Sequence, residues 1–279
     1  MMALLARGSP ARGLGALAAR SLANQWRGFS AQPTVEIYQY EICPFCCKVK
    51  AFLDWQKIAY HTKEVNPLTK AELKFSPDYR KVPIAIVDGQ QVNDSQQIIS
   101  EIVAKLTGSS ALQEAMADAE TQKWLRWVDS DLAVLLFPNI TRSFSESFQA
   151  FRYVSEVPTF SAPSKVANQL AGSLAMWLAN GKLKKKYNIT DERKQLLETV
   201  QVWMDAVGSG PFLGGKEPHV ADVIVFGVLS SIRGMATYDE LMAAKPELAR
   251  WSNDMRTALG TSMRQELTPV VRHFGPTAA

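Results

Sequence analysis

Cysteine and histidine are scarce here, with three of each among 279 residues. Three cysteines cannot build the disulfide framework of a small secreted scaffold, and a chain of this length with 47% hydrophobic residues can form its core without one. Histidines stand singly at His61, His219 and His273, so a zinc site is short of ligands. Long apolar runs are also missing. The longest, Val223–Leu229, falls far short of the ~18 residues that a membrane-spanning helix needs.

Acidic residues are absent before Glu36, where Arg7, Arg12, Arg20 and Arg27 stand among Ala, Leu and Ser. Setting those four aside leaves 27 basic residues against 27 acidic ones. The body is neutral, which excludes the clustered basic surface that nucleic-acid binding requires. The opening segment has the composition of an organelle transit peptide, with the arginines breaking any secretory apolar stretch. Arg27-Gly28-Phe29-Ser30 looks like a mitochondrial processing site. The expectation is a targeting segment over residues 1–33 that leads to the mitochondrion, with a chloroplast address or a plain disordered tail as alternatives.

Regular patterning starts after Pro33. Val35–Tyr40 alternates and is rich in β-branched and aromatic residues, which predicts a strand. Beyond Cys43-Pro44, the residues Phe45, Val49, Phe52 and Leu53 share a helical face, with Lys48, Lys50 and Asp54 outside it. A strand over 59–65, a short helix over 67–75, a strand over 84–87, a tight turn at Asp88-Gly89 and a return through Gln91-Val92 follow. Asp94 and Gln97 fit a capping-box variant opening a helix with Ile98, Ile99, Ile102, Val103 and Leu106 inward. This order implies a small mixed sheet with helices on its faces over 34–108.

Strand signals vanish from 109 to 279. One helix is predicted over 112–137, stopped by Pro138. Others are marked by Val166, Leu170, Leu174 and Trp177, by Leu196, Val200, Trp203 and Val207 before Gly208, and by Leu248, Trp251 and Met255. Val220–Ile232 is apolar all round, as a central buried helix would be. The tryptophans at helical spacing read as core. Lys182-Leu183-Lys184-Lys185-Lys186 closes a helix where cations suit the dipole, with an anionic surface or lipid contact as the alternative.

Cys43-Pro44-Phe45-Cys46 sits at a strand-to-helix junction. A cysteine at a helix N-terminus faces free amides and the positive dipole end, which stabilise its thiolate. Cys43 is therefore the expected nucleophile and Cys46, one turn on, a resolving thiol. Cys47 is expected to be a half-buried spectator, and no metal is expected. A purely structural pair is the alternative. Val82-Pro83 before a strand suits a cis bond that opens the backbone to a peptide-like ligand, or an ordinary strand-opening proline. Asp94-Ser95 could hold amino and carboxylate groups at a helix start, or simply cap it. Tyr40 could donate to the thiolate, or pack as a strand-end aromatic.

Together these motifs resemble the glutaredoxin and glutathione-transferase version of the thioredoxin fold. The resemblance implies an α+β thioredoxin-like domain followed by an all-α transferase C-terminal-like domain. Phe212–Asp222 is similar to that family's loop and cap, although His219 stands where Ser, Thr or Asn is usual. Tyr38-Gln39-Tyr40, Cys43–Cys46, Glu64–Pro67, Tyr79–Ile84 and Asn93-Asp94-Ser95 look more closely like the membrane-associated type-2 prostaglandin E synthase family. That resemblance implies a reactive Cys43 hydrogen-bonded by Tyr40, glutathione held at Val82, Pro83, Asp94 and Ser95, and Phe45 beside the substrate. It also implies a possible haem held with the glutathione.

Family members from animals carry an N-terminal hydrophobic anchor and a long insertion, patterns not found here, so membrane contact is expected to be peripheral at most. The implied activity is glutathione-dependent isomerisation of prostaglandin H2 to prostaglandin E2, or related chemistry on a small hydrophobic peroxide or electrophile, in a possible homodimer. A glutaredoxin-like dithiol oxidoreductase and a non-catalytic interaction module are the competing expectations.

Overall fold

A computed structural model of the chain describes residues 32–106 and 110–265. The targeting segment expected over 1–33 lies almost wholly outside the described residues, as do His273 and the domain boundary expected at 108. Strand β1 (Val35–Gln39) pairs in parallel with β2 (His61–Glu64) and antiparallel with β3 (Ile84–Val87). Asp88 and Gly89, both at positive φ, turn β3 into β4 (Gln90–Asn93), giving the order β2-β1-β3-β4. Two consecutive positive-φ residues match the strand twist, as Asp-Gly predicts.

Helix α1 (Pro44–Gln56) opens on a proline and ends at Lys57, which is left-handed. Helix α2 (Ser95–Lys105) is capped by Asp94 through the Gln96 amide at 2.8 Å, in place of the expected partnership with Gln97. The strand expected over 59–65 keeps only its central residues. The helix expected over 67–75 contracts to one 3-10 turn, Ala71–Leu73, where Leu73 alone is buried.

Helices α3 (Ser110–Ala117), α4 (Ala119–Trp127) and α5 (Ala133–Ile140) replace the single one expected over 112–137. Asp118 breaks it by capping α4 through the Thr121 amide, and a wide π turn at Val128–Leu132 joins α4 to α5. Pro138 lies inside α5 and does not stop it. The carbonyls of Leu135, Phe137 and Pro138 are taken by the side chains of Asn139, Thr141 and Asn180, which satisfies the last turn without the usual ladder.

Then come α6 (Phe144–Ala150), α7 (Ala162–Ala167), α8 (Ser173–Lys186), α9 (Glu192–Val207), α10 (Val220–Ser230), α11 (Ala236–Ala244) and α12 (Pro246–Leu259). Trp203 stacks edge-on with Trp124 and Trp251 at 5.1 and 5.7 Å, which places these three tryptophans in the core. Helix α10 is buried on all sides but for Phe226. The unusual cap works: His219 Nδ1 accepts from the Ala221 amide while Asp222 accepts from the His219 amide at 2.9 Å.

Two faces differ from expectation. Val166, Leu170, Leu174 and Trp177 do mark helical turns, but they point to solvent, while Asn168, Gly172, Ser173 and Asn180 are buried. The small and polar residues win the inward side because they bond to neighbours; the Ser147 hydroxyl donates to the Ser173 carbonyl at 2.7 Å. On α1, Lys48 and Lys50 are buried, because the helix is covered on a second side by α10. At Gly227 of α10 a Cβ atom would stand 2.8 Å from the Cys47 carbonyl and 2.9 Å from Ala51 Cβ, so only glycine permits this approach.

Candidate active site

Cys43 is the N-cap residue of α1, half-buried, with its amide bonded to the Tyr40 carbonyl at 3.0 Å. Its thiol is held below the ordinary thiol range. The leading cause is a hydrogen bond from the Cys46 side chain, which outweighs burial; the amides of Cys46 and Phe45 and the charge of Lys50 add to it. Cys46 is fully buried and pushed the other way by burial, by the bond that it shares with Cys43 and by repulsion from that thiolate. The two shifts are opposed, Cys43 eased toward the thiolate and Cys46 held away from it, the polarity that a nucleophile beside a resolving thiol needs.

Cys47 is not half-buried, as the sequence suggested, but 3% exposed. Its thiol donates to the Glu41 carbonyl at 3.3 Å, and burial pushes its pKa up to about 12. It is inert because the second covered side of α1 closes over it.

Tyr40, Tyr79 and Val82 pack against one apolar group formed by Tyr38, Val65, Leu73 and Ile84. The Tyr40 phenol is raised by burial and then by the charge on Cys43, so it stays neutral and able to donate. The groups that lower Cys43 most are backbone amides, Cys46 and Lys50 rather than this phenol. The Val82–Pro83 bond is cis. Asp94 is exposed at positive φ, whereas Ser95 beside it is 2% exposed. Tyr79 is raised by burial and then by the charges of Asp94, Cys43 and Cys46. Phe45 is half-buried under the Lys48 ammonium, 5.7 Å from its ring centre.

Several site residues were not legible from the sequence. Lys48, wholly buried, is paired with Asp129 at 2.7 Å and so ties α1 to the helical region. Tyr153, buried in the helical region, is raised by burial and then by Glu64, Tyr40, Glu41 and Cys43. Glu41 joins Lys50 and Arg264 beneath the Cys43 loop. Only the two lysines inside α1 carried a signal, since each leaves a charge next to a cysteine motif.

The implied haem finds no support in these residues. The resemblance has it held with the glutathione rather than by a side chain, and of the described histidines His61 is exposed on β2 and His219 is used in capping α10. No step below runs through a haem.

A mixed four-stranded sheet with a thiol at a helix N-terminus, followed by a helical remainder, is the fold of the glutathione transferases with a cysteine placed for thiol chemistry. Residues 37–110 match the glutathione S-transferase N-terminal domain family. A glutathione S-transferase III in apo form superposes with a TM-score of 0.51 at 18% identity, over 81% of this chain and 94% of that one. A rice glutathione transferase solved in complex with glutathione does so at 0.50 and 14%, over 82% and 90%. Mouse prostaglandin E synthase 2 is 32% identical over 286 residues, covering 86% of this chain and 72% of the relative. The chain belongs to the prostaglandin E synthase 2 family.

Proposed function

We propose that this protein is a glutathione-dependent thiol isomerase that converts prostaglandin H2 to prostaglandin E2 or rearranges a related hydrophobic peroxide. The observation that carries the reading is the lowered Cys43 thiol at the head of α1, within a chain of this family. In the proposed reaction the thiolate attacks one endoperoxide oxygen; an S–O bond forms as the O–O bond breaks. The second oxygen leaves as an alkoxide and takes a proton from water. Loss of the proton on the carbon bearing the S–O oxygen forms the carbonyl and expels the thiolate, so there is no net oxidation.

Glutathione would lie with its backbone along Val82 and Pro83, its amino group at Asp94 and its carboxylate at the α2 N-terminus beside Ser95. Tyr40 would donate to the thiolate and Phe45 would line the substrate side. The outward apolar stripe of α7 and α8 supports a homodimer. Among the described residues no helix is long and apolar enough to cross a membrane, and any lipid contact in this proposal is peripheral. The proposed location is the mitochondrion, with the chloroplast as the alternative.

A dithiol oxidoreductase is the second reading, favoured by the opposed shifts of Cys43 and Cys46. Cys46→Ser separates the two. An isomerase keeps most of its turnover with glutathione, whereas disulfide reduction collapses. An unreactive Cys43 of ordinary pKa would leave the non-catalytic module.

A further inference from the structure

Ser164 lies on α7, and Asn168, one helical turn later, opens the wide π turn Asn168–Gly172 that leads into α8. Asn168 is buried, whereas Val166 and Leu170 beside it face solvent. Its side chain bonds back to α7, with Nδ2 donating to the Ser164 carbonyl at 2.8 Å and to Ser164 Oγ at 3.2 Å. The same two side chains also reach the segment after β2. Asn66 Nδ2 donates to Ser164 Oγ at 2.7 Å, and the Leu68 amide donates to Asn168 Oδ1 at 3.3 Å.

That segment runs from β2 to β3 and ends on Val82 and Pro83. Asn66, buried, folds its start: Oδ1 accepts from the amides of Leu68 and Thr69, both at 3.1 Å, and the carbonyl accepts from the Lys70 amide at 2.8 Å. Lys70 then stands at φ 50, a left-handed conformation that a lysine keeps only where its surroundings impose it. From Lys70 two bonds cross to the far end of the segment. Its Nζ donates to the Arg80 carbonyl at 3.0 Å, and Arg80 Nη2 donates to the Lys70 carbonyl at 3.2 Å.

A separate hold comes from the sheet. Gln91 Nε2 on β4 donates to Ser76 Oγ at 2.8 Å, and the Ser76 hydroxyl donates to the Tyr79 carbonyl at 2.7 Å. The segment is therefore fixed from its own sheet and, across about a hundred residues of sequence, from the helical region. A ligand that bonds to backbone needs it fixed in advance, because ordering it on binding costs affinity.

We propose that Asn168 and Ser164 are positioning residues for glutathione: they latch the Asn66 turn to the helical region and, through the Lys70–Arg80 clasp, hold the Val82–Pro83 backbone ready for the ligand. The inference rests on the reading that Val82 and Pro83 receive glutathione. Neither residue is among the groups that act on Cys43. The latch sets the affinity for glutathione and leaves the thiol as it is.

The test is calorimetric titration of the full chain with reduced glutathione, beside the pH midpoint of Cys43 alkylation by iodoacetamide without glutathione. Asn168→Ala is expected to raise the glutathione Kd roughly three- to tenfold, the size of one or two lost hydrogen bonds, with the alkylation midpoint unmoved. Lys70→Met breaks the clasp and is expected to raise the Kd as well. In the double variant the losses should not add, because both act along one route. An unmoved Kd in Asn168→Ala, a Kd that moves only together with the alkylation midpoint, or fully additive losses overturns the proposal. Should Asn168→Ala fail to fold, Ser164→Ala decides: a Kd raised about twofold or more supports the latch, and an unmoved one overturns it. Absence of glutathione binding in the unaltered protein would sink the glutathione reading and the latch with it, whereas intact binding that these variants leave unmoved sinks the latch alone.

Discussion

Glu64 and Cys43 are both acids near one buried cluster, yet their environments move them in opposite directions. Glu64 rises to about 8 because burial and the Glu41 charge penalise its carboxylate. Between its ordinary range and that value the folded protein holds a proton that the unfolded chain has lost, so stability falls as pH rises across that window. Glu64→Gln should flatten the decline, which melting temperatures between pH 5 and 8 would show; an unchanged slope would contradict the assignment. Cys43 behaves inversely. Its lowered thiol contributes stability at high pH that is lost as pH falls through its folded value. The motif residues themselves were legible because a cysteine followed by proline at a strand end announces a helix N-terminus. The cluster was not, since Glu41, Glu64 and Arg264 look like ordinary surface charges until the chain closes over them.

The contact between α1 and α10 decides whether the nucleophile's helix is held. Gly227→Ala forces a methyl group onto the Cys47 carbonyl and Lys48 Cα, and overpacking of this kind costs about 1–3 kcal/mol. A urea titration should show that loss. Lys48 and Asp129 join the same helix to the region following α4. Removing Asp129 strands a buried ammonium, so Asp129→Ala should destabilise the protein by ~2–3 kcal/mol, and by more than Lys48→Met does. Asp222 also holds several elements: it accepts from the amides of Leu213 and His219 and from the Trp251 indole. Asp222→Ala should cost about 3 kcal/mol, while Asp222→Asn should cost less.

Helix positions were readable from periodicity, but helix faces were less so. The α8 stripe breaks the rule that the apolar side turns inward, because Asn180 and Ser173 find partners inside. The long helix over 112–137 was predicted whole because a capping aspartate and a π turn leave the apolar spacing nearly intact.

For the whole molecule, the order of strands and helices follows from the sequence pattern, since strands confined to the first third and helices beyond leave few ways to bury both apolar faces. What periodicity could not supply is the closure of the ends, where residues 259–265 return to α1 and the start of β2. If the proposed homodimer forms on the outward stripe of α7 and α8, Leu174→Asp should shift sedimentation equilibrium toward the monomer without lowering the melting temperature. An unshifted dimer would place its interface elsewhere. Everything proposed for the reaction depends on one ionisation. The most direct measurement is the ultraviolet titration of thiolate in the full chain, with Cys43→Ser subtracted, with and without glutathione. The account expects a single midpoint clearly below the free-thiol value of about 8.5, displaced when glutathione binds. A midpoint at or above that value, unmoved by glutathione, would contradict it.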